Sequence, residues 1–92
     1  MADSKKITGT TKSGFKFCIN KDVWDDMELL EELEEIAKGN ILVLPKVCER
    51  TLGKAQKENL YNHVRDEAGK VSANTVCDTL NEIMLLANAK NC

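Results

Sequence analysis

The side chains best suited to chemistry in this chain are carboxylates that recur at helical spacing. They are Glu28, Glu31, Glu32 and Glu35, which fall on one side of an α-helix. A di-metal carboxylate site would need acids on facing helices together with a Glu-x-x-His motif, and the sequence contains no such motif. The acids therefore indicate either a solvated helix face or a docking surface for a basic partner, because clustered negative charge steers association.

The remaining candidates for catalysis are isolated. His63 is the single histidine, and no serine, cysteine or second ligand lies near it at the spacing of a nucleophilic or metal site. The sequence also lacks a glycine-rich phosphate loop, a His-Glu-x-x-His motif, a nucleophile elbow and a paired zinc-ligand motif. These absences predict a protein that is not an enzyme and holds no cofactor or metal.

The cysteine pattern and the hydropathy favour the cytoplasm. Cys18, Cys48, Cys77 and Cys92 are widely spaced and form no Cys-x-x-Cys pair, so we expect reduced thiols, with Cys48 and Cys77 as small buried hydrophobic residues. The N-terminus does not resemble a signal peptide, and no stretch approaches the run of about 20 apolar residues that spans a bilayer.

Charge is unevenly distributed along the 92 residues, whose formal net charge is −2. Residues 1–21 carry five lysines against one aspartate, whereas residues 22–38 carry eight acids against one lysine. A chain of this length forms one domain with a modest core. Because the basic arm is short and no basic recognition helix follows it, we expect no binding to nucleic acid.

The elements that position these side chains begin with a β-hairpin over residues 7–20, after a disordered N-terminus over 1–6. Phe15, Phe17 and Ile19 alternate with polar residues, and Ser13 and Gly14 supply turn chemistry. A lone hairpin is marginally stable in water. We therefore expect its apolar face to pack on the first helix, along the stripe from residue 27 to residue 36.

The first helix is predicted over residues 22–38, capped at Asn20 or Asp22 and ended by Gly39. Its apolar stripe consists of Val23, Met27, Leu29, Leu30, Leu33, Ile36 and Ala37. Trp24 lies off this stripe. Its ring is expected either to cover the hairpin or the rim of the helix, or to serve as an anchor for a partner.

Three further helices are predicted, over residues 41–52, 55–67 and 73–89. The apolar start of the second, from Ile41 and Leu42 onward, is expected to be buried, with Pro45 in its first turn. In the last helix Leu85 and Leu86 point away from the buried side, which indicates a second packing surface or an exposed interaction patch. The predicted fold is thus mainly α, about four helices in a small bundle with the hairpin, forming a single domain over 7–90.

Four segments in a fixed order complete the sequence evidence. They are Thr11-Lys-Ser-Gly-Phe-Lys-Phe-Cys-Ile, Asp25-Asp-Met-Glu-Leu-Leu-Glu-Glu-Leu, Gly39-Asn-Ile-Leu-Val-Leu-Pro-Lys with Thr51-Leu-Gly, and Leu60-Tyr-Asn-His-Val-Arg-Asp-Glu-Ala-Gly-Lys-Val. Their order and spacing, which cover about Thr8 to Met84, resemble the small tail assembly chaperones of long-tailed bacteriophages and prophages of Gram-positive bacteria.

The resemblance implies a non-enzymatic protein of virion morphogenesis. Chaperones of this family are thought to coat the tape measure protein, to keep it soluble and to recruit tail tube protein. They act in the cytoplasm of the host bacterium and are absent from the mature virion. The resemblance supplies no catalytic or ligand-binding residues.

For the client contact we hypothesise that the acidic face of the first helix binds, aided by Trp24 and by the two leucines of the last helix. The predicted protein-binding residues are Trp24, Asp25, Glu28, Glu31, Glu32, Glu35, Leu85 and Leu86. A thin core with surplus leucines is also compatible with a homo-oligomer, either a dimer or a larger ring.

Two alternatives come from other classes of protein. One is a small regulatory or adaptor protein, antitoxin-like or transcription-associated, whose DNA-binding form would need an exposed basic helix. Residues 55–67 do not favour that form, because their acidic and basic side chains are balanced. The other is a structural tail or head joining protein that is retained in the virion.

Overall fold

A computed structural model describes residues 6–91, with the side chains of residues 6–87. Two strands, β1 (Lys6–Thr10) and β2 (Lys16–Asn20), precede three helices, α1 (Met27–Ala37), α2 (Leu44–Val64) and α3 (Ala73–Asn91). Single 3-10 turns at Lys21–Trp24 and Ile41–Val43 lead into α1 and α2. The domain is mainly helical with an N-terminal hairpin, as predicted. The segment predicted to be disordered lies outside the described residues, except that Lys6 begins β1.

The hairpin forms where the alternation of apolar and polar residues predicted it. Its strands are antiparallel and pair Ile7 with Ile19 and Gly9 with Phe17, and the apolar side chains of this inner face are buried. A larger residue at Gly9 would force the buried Phe17 ring to shift, because a Cβ at this position would lie 2.7 Å from Cζ of that ring. The turn closes through a hydrogen bond from the Gly14 N–H to the carbonyl of Thr11.

The hairpin packs mainly on α2 and α3, so the expectation that it would pack on α1 is wrong. The reason lies in how much apolar surface each helix can bury. Among the described residues, α1 contributes only Leu29 to the fully buried core. The other helices contribute a much larger set, namely Leu44, Val47, Cys48, Leu52, Leu60, Val76, Leu80, Ile83 and Ala87. The apolar face of the hairpin therefore covers the surface shared by α2 and α3.

Helix α1 begins later than predicted. Asp26 is its N-cap, since its Oδ1 accepts hydrogen bonds from the N–H groups of Glu28 (2.9 Å) and Leu29 (3.3 Å). Asn20 instead precedes the 3-10 turn and makes no side-chain cap. At the other end Gly39 terminates the helix as predicted, with φ at 104°.

The described chain has three α-helices, so the prediction of four is wrong. The predicted helices over 41–52 and 55–67 form the single element α2, which is kinked at Gly53 (φ 82°, ψ 163°). The glycine was thus correctly identified as a local break, but the two predicted helices join at it as arms of one element, without a loop between them. The helix ends at Val64, before the predicted end, because Arg65 is extended and Asp66 Oδ1 accepts N–H groups of the following turn.

The junction between α1 and α2 is more exposed than predicted. Ile41 and Leu42 are 41% and 86% exposed, whereas Leu44 is buried. The 3-10 turn at Ile41–Val43 explains the difference, because it orients the first two side chains outward before α2 begins. Pro45 occupies the first turn of α2, where its missing N–H costs nothing.

Candidate functional site

An apolar groove runs between α1, α2 and α3 and has a volume of about 340 Å³. It is lined by Trp24, Leu33, Ile36, Ala37, Leu44, Val47, Thr51, Cys77, Leu80, Asn81 and Met84. The floor belongs to the core, since Leu44 and Val47 of α2 are buried. The walls are only partly covered: Leu33, Ile36 and Met84 are half-buried. A cleft of this size and character fits an apolar side chain or one face of a helix.

On the α1 wall, apolar side chains continue past the groove to the surface. Leu30 and Ala37 lie three residues before and four residues after Leu33, so the three share one side of the helix. Leu30 is 48% exposed and Ala37 is also exposed. The stripe read from the sequence is therefore wider than the core can cover. Its buried part holds α1 to the domain, and its exposed part forms one edge of the groove.

On the α3 wall, the two leucines that the sequence analysis named differ in their environment. Leu85 is 70% exposed and follows Asn81, which lines the groove, by four residues, so it flanks the groove without lining it. Leu86 is half-buried and packs against the core. Leu85 therefore extends the groove outward, whereas Leu86 serves packing.

Trp24 closes one end of the groove from the 3-10 turn that precedes α1. Its ring packs against the core and lines the groove, which agrees with the expectation of a ring over the helix rim. Within the described residues, its Nε1 is a buried donor with no hydrogen-bond partner. An unpaired buried donor costs about 1–3 kcal/mol, so such groups are rare in folded proteins.

The acidic face of α1 is partly neutralised by Arg50, which projects from α2. Arg50 Nε and Nη2 donate to the two carboxylate oxygens of Glu32 at 2.9 and 3.0 Å. Its Nη1 lies 3.4 Å from Glu28 Oε1 and 3.7 Å from Asp26 Oδ2. The guanidinium fork matches the Glu32 carboxylate in the geometry that makes such pairs strong, so Glu32 holds α1 against α2.

The protonation of this pair follows from the same contact. The hydrogen bonds from Arg50 hold the pKa of Glu32 below its ordinary value of 4.5, against a smaller opposing effect of burial. The pKa of Arg50 is raised by the same hydrogen bonds. Glu32 is therefore ionised throughout the neutral range and is committed to an internal contact rather than to a partner.

The other acids of α1 remain accessible. Glu28 and Glu31 are exposed, and together with Glu32, Glu34, Glu35, Lys46 and Arg50 they line a shallow polar cleft between α1 and α2. Lys38 lies 3.9 Å from both Glu34 and Glu35. Asp25 is exposed but is not part of this cleft. Of the acids proposed from the sequence, the structure brings together those at 28, 31, 32 and 35.

The isolated histidine has a packing role in the hairpin turn. His63 Nε2 lies 3.1 Å from Ser13 Oγ, and its ring centroid is 5.6 Å from that of Phe15. These contacts join the end of α2 to the turn between β1 and β2. In the part of the chain that the structure describes, no cluster of three or more acidic, histidine or cysteine residues could hold a metal ion.

The cysteine expectations hold in part. Cys48 is fully buried and Cys77 is half-buried on the groove wall. Burial raises the pKa of the Cys48 thiol to about 11, so Cys48 stays protonated at neutral pH and does not act as a nucleophile.

Sequence reasoning missed the groove as a site, although it named every α1 residue of its wall as apolar. The available signal was the width of the apolar stripe. With Met27 and Leu30 at its margins, the stripe is wider than one packing surface can cover. Met27 is indeed 68% exposed. To assign the exposed apolar residues to a groove, one must know that α3 lies opposite α1. The periodicity of the α1 sequence does not give that information.

Within residues 6–91, no helix combines the length and apolar character needed to cross a membrane. Comparisons with protein-family models, with curated proteins and with solved structures find no match to this chain.

Proposed function

We propose that this protein is a non-enzymatic tail assembly chaperone of a long-tailed bacteriophage or prophage. It binds helical segments of the tape measure protein and helps recruit tail tube protein in the host cytoplasm, without entering the mature virion. The family assignment rests on the sequence resemblance. The observation that carries the binding role is the open apolar groove between α1, α2 and α3.

The apolar part of the proposed contact has a defined shape. Leu30 on α1 and Leu85 on α3 are exposed next to residues that line the two walls, so an amphipathic client helix would contact both while its apolar stripe enters the groove. Burial of apolar area supplies most of the favourable free energy of such a contact. Trp24 lies at one end, where aromatic residues are the usual anchors of interfaces.

The acidic face contributes charge rather than a pocket. Glu28, Glu31 and Glu35 carry negative charge on the side of α1 next to the polar cleft. We assign them to steering a basic client segment toward the domain, an effect that raises the association rate more than the affinity. Glu32 is excluded from this role because Arg50 already occupies both of its oxygens.

The groove is tested with Leu30→Glu and Leu85→Glu, each of which places a charge on an exposed groove edge. We expect the double variant to keep its fold and to lose co-purification with coexpressed tape measure protein. Trp24 is the only tryptophan, so its fluorescence reports directly on occupation of the groove. Purified client fragments should change the emission of the wild type and leave that of the double variant unchanged.

Leu42→Glu is the matched control, since Leu42 is equally apolar and 86% exposed but lines a different surface pocket, with Pro45 and Tyr61. It should bind the client as the wild type does. If the double variant binds normally, or if Leu42→Glu loses binding to the same extent, the groove is not the client site.

Charge steering is tested separately by Glu28→Lys, Glu31→Lys and Glu35→Lys together. This variant should associate more slowly in stopped-flow measurements at low salt and approach the wild-type rate at high salt. Equal rates at low salt would remove the acidic face from the proposal while leaving the groove in place.

The neighbouring classes of function have simple discriminators. A joining protein would be found in purified virions, whereas a chaperone is absent from them. A DNA-binding regulator would shift DNA in a gel at low salt, with a strong salt dependence. Either result would replace the proposed function.

A further inference from the structure

The two outer edges of the hairpin differ in whether their backbone N–H and C=O groups are hydrogen-bonded. The outer edge of β2 is closed by the side chain of Gln56 from α2, whose Oε1 accepts the N–H of Cys18 at 2.8 Å and whose Nε2 donates to the Cys18 carbonyl. The amide thus acts as a short additional strand. Closing an edge in this way prevents it from pairing with another chain.

Within residues 6–91, the outer edge of β1 has no equivalent cover. The N–H of Thr11 donates to the carbonyl of Phe15 across the hairpin, whereas the N–H and C=O of Cys18 point outward to Gln56. These contacts fix which residues of the ladder form hydrogen-bonded pairs, since such pairs alternate with non-hydrogen-bonded ones. In the register observed, Thr8 is opposite Cys18 and Thr10 is opposite Lys16. The backbone N–H and C=O groups of Thr8 and Thr10 therefore point away from β2. Among the described residues, no hydrogen bond to these outward groups is found.

The surroundings of this open edge are basic. Lys6, Lys12 and Lys16 are exposed, and none of them forms an ion pair within the described part of the chain. The carboxylate that reaches this region is that of Glu82 on α3, whose Oε2 accepts the backbone N–H of Lys12 at 2.6 Å. In the part of the chain that the structure describes, three lysine side chains without an ion pair thus border a row of unpaired backbone groups.

We propose that β1 is a docking edge for an extended, acidic segment of a partner protein, which adds a third strand to the hairpin. Main-chain hydrogen bonds to Thr8 and Thr10 would hold the segment, as in other cases of strand addition. Side chains of the added strand alternate between the two faces of the sheet. Acidic residues would lie on the outer face, where Lys6 and Lys16 are located, and apolar residues on the opposite face.

A second copy of this chain is a poor occupant of the same edge. Pairing β1 with β1 of another molecule would bring two lysine-rich surfaces together, and like charges across strands are destabilising. An acidic segment has the complementary charge. This surface is separate from the apolar groove, so the proposal does not depend on the proposed function.

The test uses the full chain and a fluorescein-labelled peptide of alternating glutamate and valine, about six residues long, which is a typical strand length. Fluorescence anisotropy should show saturable binding that weakens with salt. Amide hydrogen exchange of the unlabelled complex should slow at Thr8 and Thr10. Gly9, whose N–H already bonds across the hairpin, should keep its rate.

Thr8→Pro removes one outward N–H without touching the ladder between β1 and β2, and should weaken peptide binding about tenfold. Thr8→Val is the matched control, because it keeps the N–H and favours a strand; its binding should equal that of the wild type. Circular dichroism verifies that both variants fold, and the exchange measurement on the wild type decides the question if Thr8→Pro does not.

Several results would overturn the proposal. They are equal affinity of a folded Thr8→Pro variant, unchanged exchange at Thr8 and Thr10, or equally tight binding of a lysine and valine peptide. Light scattering adds one more: if the protein alone forms a dimer that Thr8→Pro abolishes, the edge belongs to a second copy and not to an acidic segment.

Discussion

The two long sides of α1 meet their surroundings in opposite ways. The acidic side is held by Arg50, which contacts three carboxylates of the α1 region and pairs with both oxygens of Glu32. The apolar side faces α3 across a groove that stays open, with Leu30 exposed on its edge. Most acids of this helix form ion pairs within the chain, whereas part of its apolar side remains exposed.

This difference indicates which side is available to a partner. An acid that already accepts a bidentate arginine gains little from a second cation and would lose its hold on α2 if it changed partner. Exposed apolar area carries no such commitment, and covering it releases free energy directly. In the proposed function, the acidic side therefore fixes α1 and steers the client, and the apolar side supplies the binding surface.

The largest effect on stability is expected from truncating the buried residue at the centre of the apolar side of α1. Leu29 is fully buried, so Leu29→Ala should lower the free energy of unfolding by about 2–5 kcal/mol. Leu30→Ala is the matched control one residue away, and its effect should stay below about 0.5 kcal/mol because Leu30 is half exposed. Urea unfolding of the two variants measures the contrast. Equal losses would show that the groove edge is part of the core.

Gly53 tests the break that divides α2 into the arm contacting α1 and the arm contacting the hairpin. Its φ of 82° and ψ of 163° are almost restricted to glycine, so Gly53→Ala should cost about 1–3 kcal/mol. The cost would be backbone strain alone, since an added Cβ meets no atom within 4 Å. Lys54→Ala is the control, and thermal unfolding compares them. An unchanged melting temperature for Gly53→Ala would mean that the kink is not strained.

The Arg50 contact predicts a pH dependence of stability. The folded-state pKa of Glu32 is lowered from 4.5, so the stability that the pair contributes is present above pH 4.5 and is lost as the pH falls through the folded-state value. Arg50→Gln should lower Tm at neutral pH, and its difference from the wild type should narrow in acid.

Lys46→Gln is the control for this pH series, because Lys46 lines the same cleft without a bidentate contact. Its Tm should differ from that of the wild type much less than that of Arg50→Gln does at neutral pH, because Lys46 acts on Glu32 only through its charge and less strongly than Arg50. A difference between Arg50→Gln and the wild type that does not change with pH would contradict the assignment of the contact to an ionised Glu32.

The smallest effect is expected from the exposed acids. Glu31→Gln should change the free energy of unfolding by less than about 0.5 kcal/mol, because Glu31 is exposed and forms no ion pair among the described residues. Chemical unfolding measures this value. A clear destabilisation would show that the acidic side is more tightly integrated than the contacts of Arg50 indicate.

Short-range information was enough to predict much of the fold. Alternation at Phe15, Phe17 and Ile19 predicted the hairpin and its buried face, and Gly39 predicted the end of the first helix. Both depend on residues within a few positions of one another. The N-cap was misplaced because several residues before α1 can cap, and the 3-10 turn at Lys21–Trp24 decided in favour of Asp26.

The surfaces on which the proposals rest were decided by the tertiary structure. Arg50 lies 18 positions from Glu32, and Gln56 lies 38 positions from Cys18, so neither contact leaves a periodic trace in the sequence. The sequence determined that α1 has an apolar and an acidic side, since side-chain chemistry and helical geometry require it. Which side would be closed and which left open depended on where α2 and α3 came to lie, because packing among distant segments sets those positions.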